Sequence, residues 1–141
     1  MFKYESENPI TIEDIPKETT HLIIYPNYYH ILDERCLPES VTKLTIERYY
    51  YDLPLLNIPK SITTLELIIC GEIAINTIPP WINTLIIDCP HPKSKSIENF
   101  PQAMTTLVIK SYNPECKKLF KKIPFNCEVF CFDNRDRRVL L

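Results

Sequence analysis

A single glycine, Gly71, occurs in the 141 residues, so glycine-rich phosphate loops and Gly/Ser linkers are excluded. No stretch approaches the roughly 18 consecutive apolar residues of a membrane-crossing helix, and no membrane partner is expected. Residues 1–8 carry no apolar core of the kind that marks a secretory leader. Six cysteines are present, yet none forms a C-x-x-C pair. They are therefore expected to be reduced, mostly packed as small hydrophobes, in a cytoplasmic protein. Histidine is scarce as well, with His21, His30 and His91 the full set. Cys89 and His91 stand close together between prolines, but no second pair of ligands accompanies them, so no metal site is expected.

Proline, by contrast, is abundant, with thirteen residues, and six of them are placed periodically. Pro16, Pro38, Pro59, Pro79, Pro101 and Pro124 each follow an apolar residue, at steps of 22, 21, 20, 22 and 23 residues. Six positions after each proline stand Leu22, Leu44, Leu65, Leu85, Leu107 and Phe130. The units read IPKETTHLII, LPESVTKLTI, IPKSITTLEL, IPPWINTLII, FPQAMTTLVI and IPFNCEVFCF. Periods near this length belong to solenoids whose unit is one strand and a return segment.

The second half of each unit alternates apolar and polar residues and is rich in Thr, Ile and Val, which is a strand signal. Proline stands just before the strand, where its missing N–H breaks no ladder bond. Strands are predicted at residues 20–25, 42–47, 63–69, 83–88, 105–110 and 128–132. Recurring with one polarity, they must pair in parallel. The fold class that follows is a repeat solenoid, α/β-poor and leucine-rich-repeat-like. It has about six short parallel strands in one curved sheet, with irregular, turn or short-helix returns. The expected inward column is Leu22/Ile24, Leu44/Ile46, Leu65/Leu67, Leu85/Ile87, Leu107/Ile109 and Phe130/Phe132. The residues three after each proline, namely Thr19, Val41, Ile62, Ile82, Met104 and Cys127, should also point inward. One return, Asn113 to Ile123, has an N-cap, a proline at the first helical position and apolar residues at helical spacing, and predicts a helix.

The whole chain reads as one repeat domain: an N-terminal cap at 1–14, six repeats over 15–132, and a C-terminal cap at 133–141. Ile10 and Ile12 are expected to form a degenerate half-unit in the first cap. Val139, Leu140 and Leu141 should cover the last rung. Charge is uneven: residues 1–100 carry 8 Lys/Arg against 14 Asp/Glu, and residues 101–141 carry 8 against 4. An elongated molecule built this way has ends of opposite sign.

A repeat of this length built on L-P-x-S-L-T-x-L-x-L resembles the FNIP repeats, relatives of the leucine-rich repeat. LPESVTKLTI (37–46) and IPKSITTLEL (58–67) are the closest copies, and the resemblance spans roughly residues 8–132. Such repeats are numerous in amoebae and in giant viruses of the mimivirus group. The resemblance implies a host cytoplasm or virion as the setting. It also implies a substrate-recognition role of the kind played beside an F-box, for which residues before Pro16 leave no room.

The outward sheet face is where a solenoid without a pocket would act. Its expected columns begin at His21, Lys43, Thr64, Thr84 and Thr106, with Val129, Cys131 and Asp133 assigned to the last rung. Ile23, Ile86 and Val108 form an apolar stripe in a polar rim, which is the composition of a protein-binding surface. The residues expected to carry binding are Ile23, Tyr25, Thr45, Glu66, Ile68, Ile86 and Val108. No catalytic residue and no cofactor are expected: His21 and Cys131 lie on strands at opposite ends of the sheet, so they make no nucleophile pair. The function expected is a non-enzymatic protein–protein interaction module with an unknown partner. A self-associating structural protein is the alternative. Nucleic-acid binding through Lys110, Lys117, Lys118, Lys121, Lys122, Arg135, Arg137 and Arg138 is the weakest reading, given a pI near 5.9.

Overall fold

The computed structural model describes residues 1–25, 28, 30–49, 55–69, 78–88 and 96–139. Among these residues eight strands form one sheet in strict chain order: β1 (Phe2–Tyr4), β2 (His21–Ile24), β3 (Lys43–Tyr49), β4 (Thr64–Ile69), β5 (Thr84–Asp88), β6 (Thr106–Lys110), β7 (Glu128–Phe132) and β8 (Arg138–Val139). β1 to β7 pair in parallel, and β8 turns back antiparallel on β7. This is the parallel-strand solenoid that the proline period predicts.

The repeat is built by two recurring sets of hydrogen bonds. In all six units the N–H three residues after the proline donates to the proline carbonyl, closing a turn: Thr19 to Pro16, Val41 to Pro38, Ile62 to Pro59, Ile82 to Pro79, Met104 to Pro101 and Cys127 to Pro124, at 2.9–3.1 Å. Proline suits this place because the bond uses its carbonyl and needs no N–H. The next two N–H groups then share one carbonyl of the preceding unit. Thr42 and Lys43 both donate to Thr20, Thr63 and Thr64 to Thr42, Asn83 and Thr84 to Thr63, and Thr105 and Thr106 to Asn83. Each strand is thereby started in register with the one before it.

Inside, Leu22, Leu44, Leu65, Leu85 and Leu107 stack at adjacent rungs with Ile24, Ile46, Leu67, Ile87 and Ile109, all buried. Ile15, Leu37, Ile58 and Ile78, each just before its proline, are buried in the same core, as are Val41, Ile62, Ile82 and Met104. Thr19, the least apolar copy, is buried too.

The last rung departs from the expected register. Leu107 pairs with Val129, Val108 with Phe130 and Ile109 with Cys131. Phe130 and Phe132 therefore leave the inward column, and Val129 and Cys131 enter it. The cause is a spacer one residue shorter: Cys127 is followed by Glu128 alone before the first inward residue, where Met104 is followed by Thr105 and Thr106. Only one N–H, that of Glu128, donates to Thr105. A shift of one residue moves every side chain to the opposite face. Asp133, expected on the outward face, instead organises the β7–β8 turn. It accepts backbone N–H groups from Arg135 and Arg137 and the Arg137 guanidinium.

The ends differ from expectation in detail. The N-terminal segment holds a true strand, β1, and Ile10 is buried while Ile12 is 49% exposed in a 3-10 turn. Tyr28 is buried, and its hydroxyl accepts the Ile10 N–H at 3.0 Å, tying this segment to the first return. The return after β6 is a 3-10 helix over Pro114–Leu119 in place of the longer helix. Its cap is as read, with Asn113 Oδ1 accepting the Glu115 N–H at 2.9 Å. Val139 packs against the core through β8, while Leu140 and Leu141 lie outside the described residues.

Candidate partner-binding face

Parallel pairing at constant register sets the outward side chains in columns across the sheet. The central column runs Lys3, Ile23, Thr45, Glu66, Ile86, Val108 and Phe130. Beside it run His21, Lys43, Thr64, Thr84, Thr106 and Glu128. On the other flank Ile68, Asp88 and Lys110 are register partners, with Tyr25 and Glu47 at the N-terminal end. The seven residues expected to carry binding thus share one face.

Their accessibility differs. Ile23, Thr45 and Glu66 are only 7%, 4% and 7% exposed, closed over by their neighbours. Tyr25, Ile68, Ile86 and Val108 are half-buried. Lys3 Nζ donates to the Tyr25 hydroxyl at 2.9 Å and lies 5.3 Å from the ring centroid. The register of the last rung adds Phe130, half-buried, to Ile86 and Val108. Arg138 covers the far side of this run, with its guanidinium 5.2 Å from the Phe130 ring. Among the described residues, strands touch only their ladder neighbours, so no strand packs over the face.

The middle of the face is a polar network centred on Glu66. Lys43 Nζ lies 2.7 Å from Oε2 and Lys110 Nζ 2.6 Å from Oε1. Thr45 Oγ1 donates to Oε2 at 3.1 Å, and His21 Nε2 stands 2.8 Å from the same hydroxyl. The Thr45 proton is committed to the carboxylate, so the hydroxyl accepts from His21 and the imidazole carries its proton on Nε2. Burial on its own would raise the Glu66 pKa. The hydrogen bonds and charges of Lys110 and Lys43 outweigh it and hold the carboxyl at about 2. His21 is pushed below its ordinary value, first by burial and then by the Lys43 charge. The chemistry of this cluster is electrostatic: one carboxylate fixes two ammonium groups that retain unused donors and a surplus positive charge.

Sequence reasoning placed Lys43, Glu66 and Lys110 on the right face but did not join them. The available signal was diagonal: oppositely charged residues in neighbouring columns on strands one and two rungs apart. Lys110, expected in a basic patch, instead pairs with Glu66.

Cys36, Cys127 and Cys131 are free thiols, and among the described residues no group of three His, Cys, Asp or Glu side chains is placed to hold a metal. Cys89 and His91 lie outside the described residues. No helix among the described residues is long and apolar enough to cross a membrane.

The FNIP Repeat family matches residues 7–49 and 28–70. Residues 7–70 carry FNIP repeats. Both quoted copies, 37–46 and 58–67, fall within the matched region. The same repeat geometry runs on beyond it, since β5 and β6 continue the same turn and the same shared carbonyl. FNIP repeats suggest a repeat-type protein-interaction module. No curated protein and no solved structure matches the chain.

Proposed function

We propose that this FNIP-repeat chain is a non-enzymatic module that binds another protein through the outward face of its sheet. The observation that supports this reading is the run Ile86, Val108 and Phe130 on three adjacent strands, beside the fixed Lys43–Glu66–Lys110 cluster. Half-buried apolar side chains in a row, rimmed by oriented charge, have the anatomy of an interface core. The lysines add register and discrimination, because charge placement at an interface selects against wrong partners. Ile23, Thr45 and Glu66 act beneath this surface by holding it in shape, while Tyr25, Ile68, Ile86 and Val108 make contact. Free thiols suit a cytoplasmic or virion setting for this activity.

Changing Ile86, Val108 and Phe130 together to Ser tests the reading. The variant should keep the circular dichroism of the parent and lose the partner that the parent captures and crosslinks to that face. A partner held equally by both proteins rejects it. Self-association is the second reading, favoured by the net charges of −6 on residues 1–100 and +4 on residues 101–141. In a solenoid, chain order is position along the axis, so these charges lie at opposite ends and invite head-to-tail contacts. Oligomers that dissociate as salt rises would support this second reading.

A further inference from the structure

The sixth turn carries a side chain that none of the other five resembles. Phe125, immediately after Pro124, is fully exposed at 101%. The equivalent positions hold Lys17, Glu39, Lys60, Pro80 and Gln102, all exposed. Glu39, Lys60, Pro80 and Gln102 each have a turn on either side and are still in solvent, so a neighbouring rung is not what would cover Phe125. Ile123 and Pro124, half-buried beside it, extend the apolar tip.

Lysines crowd the chain just before this tip. Lys121 and Lys122 precede Phe125 by four and three residues, within about 14 Å along the chain. Lys117 and Lys118 stand one turn earlier on the 3-10 helix. All four are exposed. Their ion pairs are long and exposed: Lys121 and Lys122 share Glu98 at 3.7 and 3.8 Å, and Lys118 meets Glu115 at 3.4 Å. Such pairs hold little, and four ammonium groups against the carboxylates of Glu98, Glu115 and the exposed Glu128 leave the tip positive by one charge.

We infer that Phe125 and its lysine collar form a peripheral docking site for an anionic lipid surface. An aromatic ring at headgroup depth with ammonium groups behind it is the chemistry of interfacial attachment, which is distinct from spanning a membrane. A single-stranded nucleic acid instead calls for rings set in series along a groove. Phe125 has no ring partner among the described residues, whose ring pairs are Tyr4–Tyr28 and Tyr28–His30 at the other end of the solenoid.

Co-sedimentation with phosphatidylcholine vesicles, with and without about 30% phosphatidylserine, tests the assignment. The protein should partition onto the anionic vesicles and not onto the neutral ones, more weakly as salt rises. Phe125→Ser should lower the partition about tenfold. Replacing Lys117, Lys118, Lys121 and Lys122 by Ser should lower it about a hundredfold. These side chains are exposed, so unchanged circular dichroism is expected throughout. Phe125→Trp, made with Trp81→Phe, should shift its emission to the blue on adding anionic vesicles. Equal binding to both vesicle types, binding to neither, or an unshifted tryptophan overturns the site. So does capture of oligo-dT by the same four lysines with vesicles ignored, which would make the collar a nucleic-acid contact.

Discussion

Lys110 and Glu66 stand on strands two rungs apart, yet the ammonium of one lies 2.6 Å from the carboxylate of the other. The lysine side chain must therefore reach across β5, over the face we assign to the partner. Glu66 is the anchor in this arrangement, since Lys43 meets its other oxygen.

Glu66→Gln should lower stability by about 1–3 kcal/mol at neutral pH, because two ammonium groups lose their counter-charge while part of their exposure softens the loss. The contribution of Glu66 follows its folded pKa of about 2, depressed from 4.5. It is fully present above the unfolded value and drains away as pH falls toward 2, since the unfolded chain takes up the proton first. Urea midpoints measured across this range for parent and variant should converge at the acid end.

Lys43→Met should raise the pKa of His21 without restoring it to that of a free imidazole, since burial is the larger cause of its depression. Histidine NMR titration reads this directly. A neutral His21 in the folded state also means stability is greatest above its unfolded pKa and falls as the ring is forced to charge. No movement on removing Lys43 would separate the histidine from the network.

Cys131 should resist thiol reagents in the folded protein, being 1% exposed with burial pushing its pKa up. A Phe130→Cys variant should label quickly at the introduced thiol, as expected of a residue on the open face. Mass spectrometry after brief alkylation distinguishes the two. Reversed reactivities would return Phe130 to the core.

Leu85→Ala should cost about 2–5 kcal/mol by denaturant unfolding. The side chain is wholly buried between Leu65 and Leu107, and rungs fixed at strand spacing cannot close on the gap.

Strands β2 to β6, their order and ten inward side chains are legible because one physical pattern, a proline turn followed by alternation, repeats without interruption from Pro16 to Ile109. Phe130 was misplaced for an equally specific reason. It is aromatic and stands six residues after its proline, so counting from the turn gives the expected residue type on the wrong face. Only the hydrogen-bond register, one N–H on Thr105 in place of two, reveals the missing spacer. The return after Asn113 was over-extended because 3-10 and α segments share caps and begin with the same apolar spacing. The Glu66 cluster was hidden because no local pattern links residues 43, 66 and 110; the stacking brings them together.

The shortened link between Cys127 and Val129 shows that in such a ladder the choice of which residues meet the outside world is a matter of parity. Losing one residue ahead of a strand exchanges its hidden and visible letters while every letter stays the same. A lineage could then present a new surface through a single three-base deletion, provided the rung tolerates its former exterior as filling. Cys131, small and apolar enough to serve in either place, is the kind of residue that makes the exchange survivable.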